Sequence, residues 1–203
     1  MNTNRLSCLS LLIFFLSSQS ILAQTRGFHF LRSSVGARPS LNSNPAALAG
    51  LSKKQASFEY INKVLDIQTG FGAYLHRMKN ANLAFGIQYH DYGSFETTDV
   101  VGTSLGTFSA NNFILSAAYA RKQTERLWIG GTGKYIYSKI DSYSSAAVAA
   151  DVAVYYNSTI MGNLQIGGGV FNLGTATSAF IETKETLPTR IEFGVSKRLA
   201  HLP

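Results

Sequence analysis

Between residues 55 and 197 the chain alternates apolar side chains with polar or small ones, in one short segment after another. Successive strand side chains point to opposite faces, so a period of two marks strands with two unlike sides. Segment 67–77 is the clearest: Ile67, Thr69, Phe71, Ala73 and Leu75 alternate with Gln68, Gly70, Gly72, Tyr74 and His76. Segment 82–90 sets Leu83, Phe85, Ile87 and Tyr89 against Asn82, Ala84, Gly86, Gln88 and His90. In both, the first set is expected to face lipid and the second a lumen. The intervening MKNAN is a tight-turn sequence, and the Gly-, Thr- and Ser-rich stretch 91–111 suits a two-stranded extension. Further strands are expected at 55–61, 112–121, 127–138, 144–157, 163–172 and 189–198. The spacing predicts an up-and-down meander of about eight or nine antiparallel strands, the pattern of an outer-membrane β-barrel.

Two other features of the strands fit a curved wall. Glycines recur inside them, at 70, 72, 86, 130, 131, 133, 167, 168, 169 and 194. Glycine removes side-chain volume where a lumen is crowded and permits bulges. Tyr60, Tyr89, Tyr92, Tyr119, Trp128, Tyr137, Tyr155, Tyr156 and Phe171 fall mostly near strand ends, where an aromatic girdle would meet the membrane interfaces.

The residues ahead of the strands divide in two. Residues 1–23 carry Arg5, an apolar run over 9–16 and a small residue at Ala23, the pattern of a cleaved secretory signal peptide. The apolar run is far shorter than the roughly 20 residues a membrane-crossing helix needs. Residues 24–54 form the expected plug or cap segment. Within it Asn44 can cap, Pro45 suits a first helical turn and Gly50 suits a C-terminal cap, predicting a short helix over 45–49. Asn44, Pro45 and Ala46 are the candidate plug motif. Residues 55–203 are the expected barrel portion.

Charge changes this picture little. The chain carries a net +7, and loss of Arg5 with the signal lowers that by one. Its basic residues are scattered through presumed turns, at Lys53, Lys54, Arg77, Lys79, Arg121, Lys122 and Arg126, with no basic helix or stripe, so no nucleic-acid partner is expected. The single cysteine, Cys8, leaves with the signal, so no disulfide is expected in the mature chain.

Candidate chemistry is equally sparse, and no enzymatic activity, catalytic residue, metal or cofactor is expected. His29, His76, His90 and His201 lack metal-ligand spacing, although His76 and His90 are expected to share the lumen side. GGTGK at 130–134 lacks the full phosphate-loop spacing and lies within a strand. Asp141 and Asp151 stand isolated, and Glu182 and Glu185 fall in a loop beside Lys184.

Read in order, several segments carry a resemblance. NPAALAGL (44–51), FEYINKVLDIQTGFGAYLHR (58–77), GIQYHDYGSFETTD (86–99), LGTFSANN (105–112), KYIYSKIDSYSSAAVAADVAVYYN (134–157) and LPTRIEFGVSKRLAHLP (187–203) resemble the PorV/PorQ group of FadL-like outer-membrane barrels. The resemblance implies a non-enzymatic component of the type IX secretion system in a Gram-negative outer membrane. Its expected partners are membrane lipid, other components of that system and secreted cargo bearing C-terminal sorting domains. It implies a wall of about 14 strands, needing about 200 residues after the plug where about 150 follow, so an incomplete member of the family is expected. Such a wall would have to close at eight strands or pair with another chain, because an open sheet edge is not viable in hydrocarbon. Two other readings follow from the same residues. The plug and glycine-rich lumen suit a FadL-like transporter of hydrophobic small molecules, and the strand pattern alone suits a soluble extracellular β-domain used for adhesion.

Overall fold

The computed structural model describes residues 44–62, 67–158, 164–181 and 184–197. The expected signal peptide and residues 24–43 of the plug segment lie outside the described residues. Eight strands are present: β1 (Gln55–Asn62), β2 (Gln68–Arg77), β3 (Ala81–Thr98), β4 (Ser104–Lys122), β5 (Leu127–Ile140), β6 (Tyr143–Ser158), β7 (Leu164–Ala176) and β8 (Arg190–Lys197). They form one sheet in sequence order, every neighbouring pair antiparallel. The chain is therefore all-β, with almost no helix. No pairing joins β1 to β8 among the described residues, so the sheet is open rather than the closed barrel the pattern predicts.

The expected extension over 91–111 is the outer half of the β3–β4 hairpin. A bulge between Asp91 and Ser94, with Gly93 at φ +78°, interrupts the register, and pairing resumes from Ser94–Ser109 to Thr98–Ser104. Phe95 and Phe108 stack across it at 5.3 Å.

The outer face of the sheet carries exposed apolar side chains, and the inner side buries apolar residues such as Leu75, Ile114, Ile136 and Phe171 beside polar ones. On the outer side, away from the plug, stand Phe85, Ile87, Leu115, Tyr135, Val148, Val152, Val154, Ile191, Phe193 and Val195, all exposed, with Val152 at 58% and Phe193 at 59%. Following the register from strand to strand, outward positions carry an acidic or basic side chain only at Asp91, beside the β3 bulge, and at Glu96, Arg121, Lys139 and Lys197, toward strand ends. The inner side holds Thr132, Lys134, Ser138, Ser145, Asp151 and Asn172, all buried.

The register corrects the expected facing of β2. Leu75 lies opposite Ala84 and Thr69 opposite His90, and in β3 those partners point inward, as expected. Thr69, Phe71, Ala73 and Leu75 therefore face the interior, while Gly70, Gly72, Tyr74 and His76 face out. The reason is packing: Leu75 is buried against Leu48 and Ala49, with Phe71 and Ala73 beside it. His76 and His90 accordingly lie on opposite faces, not on a shared lumen side.

Candidate functional site

The interior is filled in three tiers. At the end of the sheet carrying the β2–β3 and β4–β5 turns sits the plug, a 3-10 helix over Pro45–Gly50. The expected helix is thus present in its tighter form, as short pieces often are. Asn44 caps it as the sequence predicts: its Oδ1 accepts the Ala46 N–H at 3.0 Å. Its Nδ2 donates to the Val154 carbonyl on β6 at 3.4 Å, tying the cap to the wall. At the other end of the helix Asn82 Nδ2 donates to the carbonyls of Leu48 at 2.7 Å and Leu51 at 2.9 Å. The Leu48 carbonyl also accepts the Leu51 N–H at 3.1 Å, so Asn82 reinforces the end of the helix and ties it to β3.

Two wall glycines form the plug's seat. A Cβ on Gly130 would stand 2.6 Å from the Ala46 nitrogen and 2.7 Å from its Cα, and one on Gly167 would stand 2.8 Å from Asn44 Nδ2. At Gly130 backbone meets backbone, which only glycine permits, and at Gly167 the Asn44 side-chain amide takes the space. The plug residues Asn44, Pro45 and Ala46 are all buried, with Ala46 and Ala47 packed on Ala153, Tyr155 and Phe171. Gly50 is not the C-cap: Leu51 holds that position, and Gly50 instead makes room for the Trp128 ring. Trp128 stacks on Tyr155 at 4.8 Å, and both rings pack against the plug. Trp128, Tyr155 and Phe171 are therefore interior residues and not members of an outer aromatic girdle.

The middle tier is ionic. Lys134 Nζ lies 2.6 Å from Asp151 Oδ2, with side-chain exposures of 5% and 0%. Lys134 also donates to Asn172 Oδ1 at 3.2 Å, and the Asn172 N–H donates to Asp151 Oδ1 at 2.8 Å. Asn172 adopts φ +57° where the β6–β7 register shifts around Asp151, a left-handed conformation that asparagine tolerates better than most residues. Asn172 further donates to the Pro188 carbonyl at 3.4 Å, and its own carbonyl accepts from Thr189 at 3.2 Å. Arg190 and Glu192 pair beside it at 3.3 Å. Each acid therefore has a base, the condition under which charge can remain buried. Asp151 is not isolated, as the sequence suggests. The hairpin symmetry of β5 and β6, which sets Lys134 opposite Ala149 and Thr132 opposite Asp151, is the signal that would have found the pair.

The third tier closes the far end. The β7–β8 connection folds inward and buries Leu187 against Ile114, Ile136, Ala147, Ala149 and Ala176. Ser145 Oγ donates to the Ser178 carbonyl at 2.7 Å, fixing that connection to β6. Residues 182 and 183, including Glu182 of the expected loop pair, lie outside the described residues.

Among the described residues no group of three or more His, Cys, Asp or Glu could hold a metal ion, and no helix is long and apolar enough to cross a membrane. The arrangement has the form of a stoppered interior: a plug tied by amides, a balanced ion cluster and an apolar lid. No family model, curated protein or solved structure matches this chain.

Proposed function

We propose that the chain is wall and plug of an outer-membrane β-barrel of the PorV/PorQ type, a non-enzymatic part of the type IX secretion system that assists export or surface attachment of secreted proteins. The observation that carries the membrane reading is the outer face of the sheet: exposed apolar side chains, charged at few positions, around an interior that buries the Lys134–Asp151 pair. Lipid outside and a polar lumen inside require that distribution. A soluble sheet would place its charges in water. The secretion role rests on the ordered sequence resemblance, from the Asn44-Pro45-Ala46 plug motif to 187–203.

The ionic middle tier favours this reading over transport of hydrophobic small molecules, whose path would have to pass Lys134, Asp151, Arg190 and Glu192. In the test, cells making the full chain are fractionated and a deletion strain is assayed for surface display of proteins bearing C-terminal sorting domains. Recovery in the outer membrane with loss of display is expected. Recovery in the soluble periplasm would overturn the membrane reading, and intact display with impaired uptake of fatty acids would favour the transporter.

A further inference from the structure

The plug end of the sheet carries a feature that neither the wall nor the plug requires. A cleft of about 630 Å³ opens there between the plug's C-terminal residues, the β2–β3 turn and the β4–β5 turn. Arg77, Lys79, Arg121 and Lys122 line it against one carboxylate, Glu125. The four cations come from two separated stretches of chain, 77–79 and 121–122, brought together by the fold. Two are held in place: Arg77 donates to the Ser52 carbonyl, and Lys122 Nζ lies 5.2 Å from the centre of the Trp128 ring. Arg121 Nη2 donates to Gln123 Oε1 at 2.7 Å, and Lys79 is exposed. Around them the lining is mostly amide and hydroxyl, from Asn80, Asn82 and Thr124.

We propose that this cleft binds an acidic, extended polypeptide segment of a protein partner. Converging like charges in a concave site raise the local concentration of anions and speed their association. The volume lies within the range of about 300–1,000 Å³ typical of pockets for sizeable ligands, so it suits several carboxylates in a row rather than one small ion. Polar and charged side chains outnumber the apolar Ala49, Leu51, Met78, Ala81 and Tyr119 in the lining, which favours a charged ligand over a hydrophobic one. Its position argues against lipid headgroups: Arg77 and Lys122 lie on the inner face of the sheet, opposite Asn82 and Trp128, and the plug residues Ala49–Ser52 form one wall of the cleft. Arg121 and Tyr119 stand on the outward side of β4 at the rim, so the site opens at the end of the sheet, between the mouth of the interior and the rim of the wall. The inference does not depend on the wall lying in a bilayer, because every lining residue belongs to the same packed end of the sheet.

The test uses the full chain folded in zwitterionic detergent micelles and a fluorescent twelve-residue Asp/Glu-rich peptide, followed by anisotropy. Binding is expected, weakening as salt is raised because exposed charges are screened within about 10 Å at 0.1 M. The double variant Lys79→Gln, Lys122→Gln is expected to bind several-fold more weakly, up to about 25-fold, since each exposed ion pair contributes up to about fivefold. Lys139→Gln, at the opposite end of β5, is expected to leave binding unchanged, and all variants should keep the β-sheet circular dichroism spectrum. Failure of the peptide to bind would overturn the proposal, as would equal weakening by Lys139→Gln. Inorganic phosphate binding as tightly as the peptide would show a small-anion site instead. Full displacement of the peptide by vesicles of phosphatidylglycerol would show a lipid site.

Discussion

A single methyl group at Gly130 decides whether the plug can sit where it does. The nearest atoms to that methyl would be backbone, which cannot rotate away, whereas a Cβ on Gly133, three residues along the same strand, meets nothing within 4 Å. Gly130→Val is therefore expected to displace the plug and Gly133→Val is not. The measurement is maleimide labelling of a cysteine placed at buried Ala47, with Cys8→Ser removing the natural thiol. The cysteine should be protected in the parent and in Gly133→Val, and should label rapidly in Gly130→Val. The Lys134–Asp151 pair makes a second residue-scale prediction. Removing one partner of a buried pair leaves an uncompensated charge, at a cost of about 3–5 kcal/mol, whereas replacing both can be nearly neutral. Lys134→Met or Asp151→Asn alone should lower the denaturation midpoint strongly, and the double variant Lys134→Met, Asp151→Leu should recover most of that loss.

At the scale of elements the strands were legible because a period of two survives in a single sequence, and eight of them stand close to where the alternation places them. The plug helix was legible as well, through Asn44 and Pro45. The facing of β2 was not. Tyr74 and Leu75 are neighbours and either could face lipid, so alternation within the strand leaves the choice open. It is made by the register with β3 and by the contact of Leu75 with the plug, both of them long-range. The partnership of Lys134 with Asp151 and the interior place of Trp128 were hidden for the same reason. The β3–β4 extension carries a pH prediction of its own. At its tip Asp99 accepts from the amides of Thr103 at 2.8 Å and Val101 at 2.9 Å, and these bonds, that from Thr103 foremost, hold its carboxyl below the usual range. A depressed folded value means the stabilisation is complete above the ordinary Asp range, near about 3.9, and is lost as pH falls through the lower folded value. Amide protection of Val101 and Thr103 should therefore hold at pH 5 and be lost as pH falls below the ordinary Asp range. In Asp99→Ala it should be low throughout.

For the whole molecule the decisive question is what solvent the outer face meets, and one substitution can separate the answers. Val154 points outward from β6, exposed, between Ile129 on β5 and Gly168 on β7. In water an exposed valine away from any special feature can become arginine with little change, within about 0.5 kcal/mol. In hydrocarbon the same arginine costs about 2–4 kcal/mol near the bilayer midplane. Ser57 provides the internal control. It lies opposite Ala73 on the inner face of β1, exposed, and Ser57→Arg adds the same charge on the lumen side. If the sheet is a membrane wall, Val154→Arg should sharply reduce the fraction of chain that folds into dilauroylphosphatidylcholine vesicles, read by protease protection, and Ser57→Arg should not. If it is a soluble β-domain, the two variants should behave alike and the parent should remain in solution without lipid. The comparison also bears on the open edges. Among the described residues β1 and β8 each pair on one side only, and hydrocarbon cannot satisfy the backbone groups of a free edge. A chain that passes the Val154 test must therefore pair those strands inside the vesicle, with each other or with further strands. Cysteines introduced at Phe58 and Phe193, one on each edge strand, would cross-link within one chain in the first case and between chains if a second copy supplies the partner.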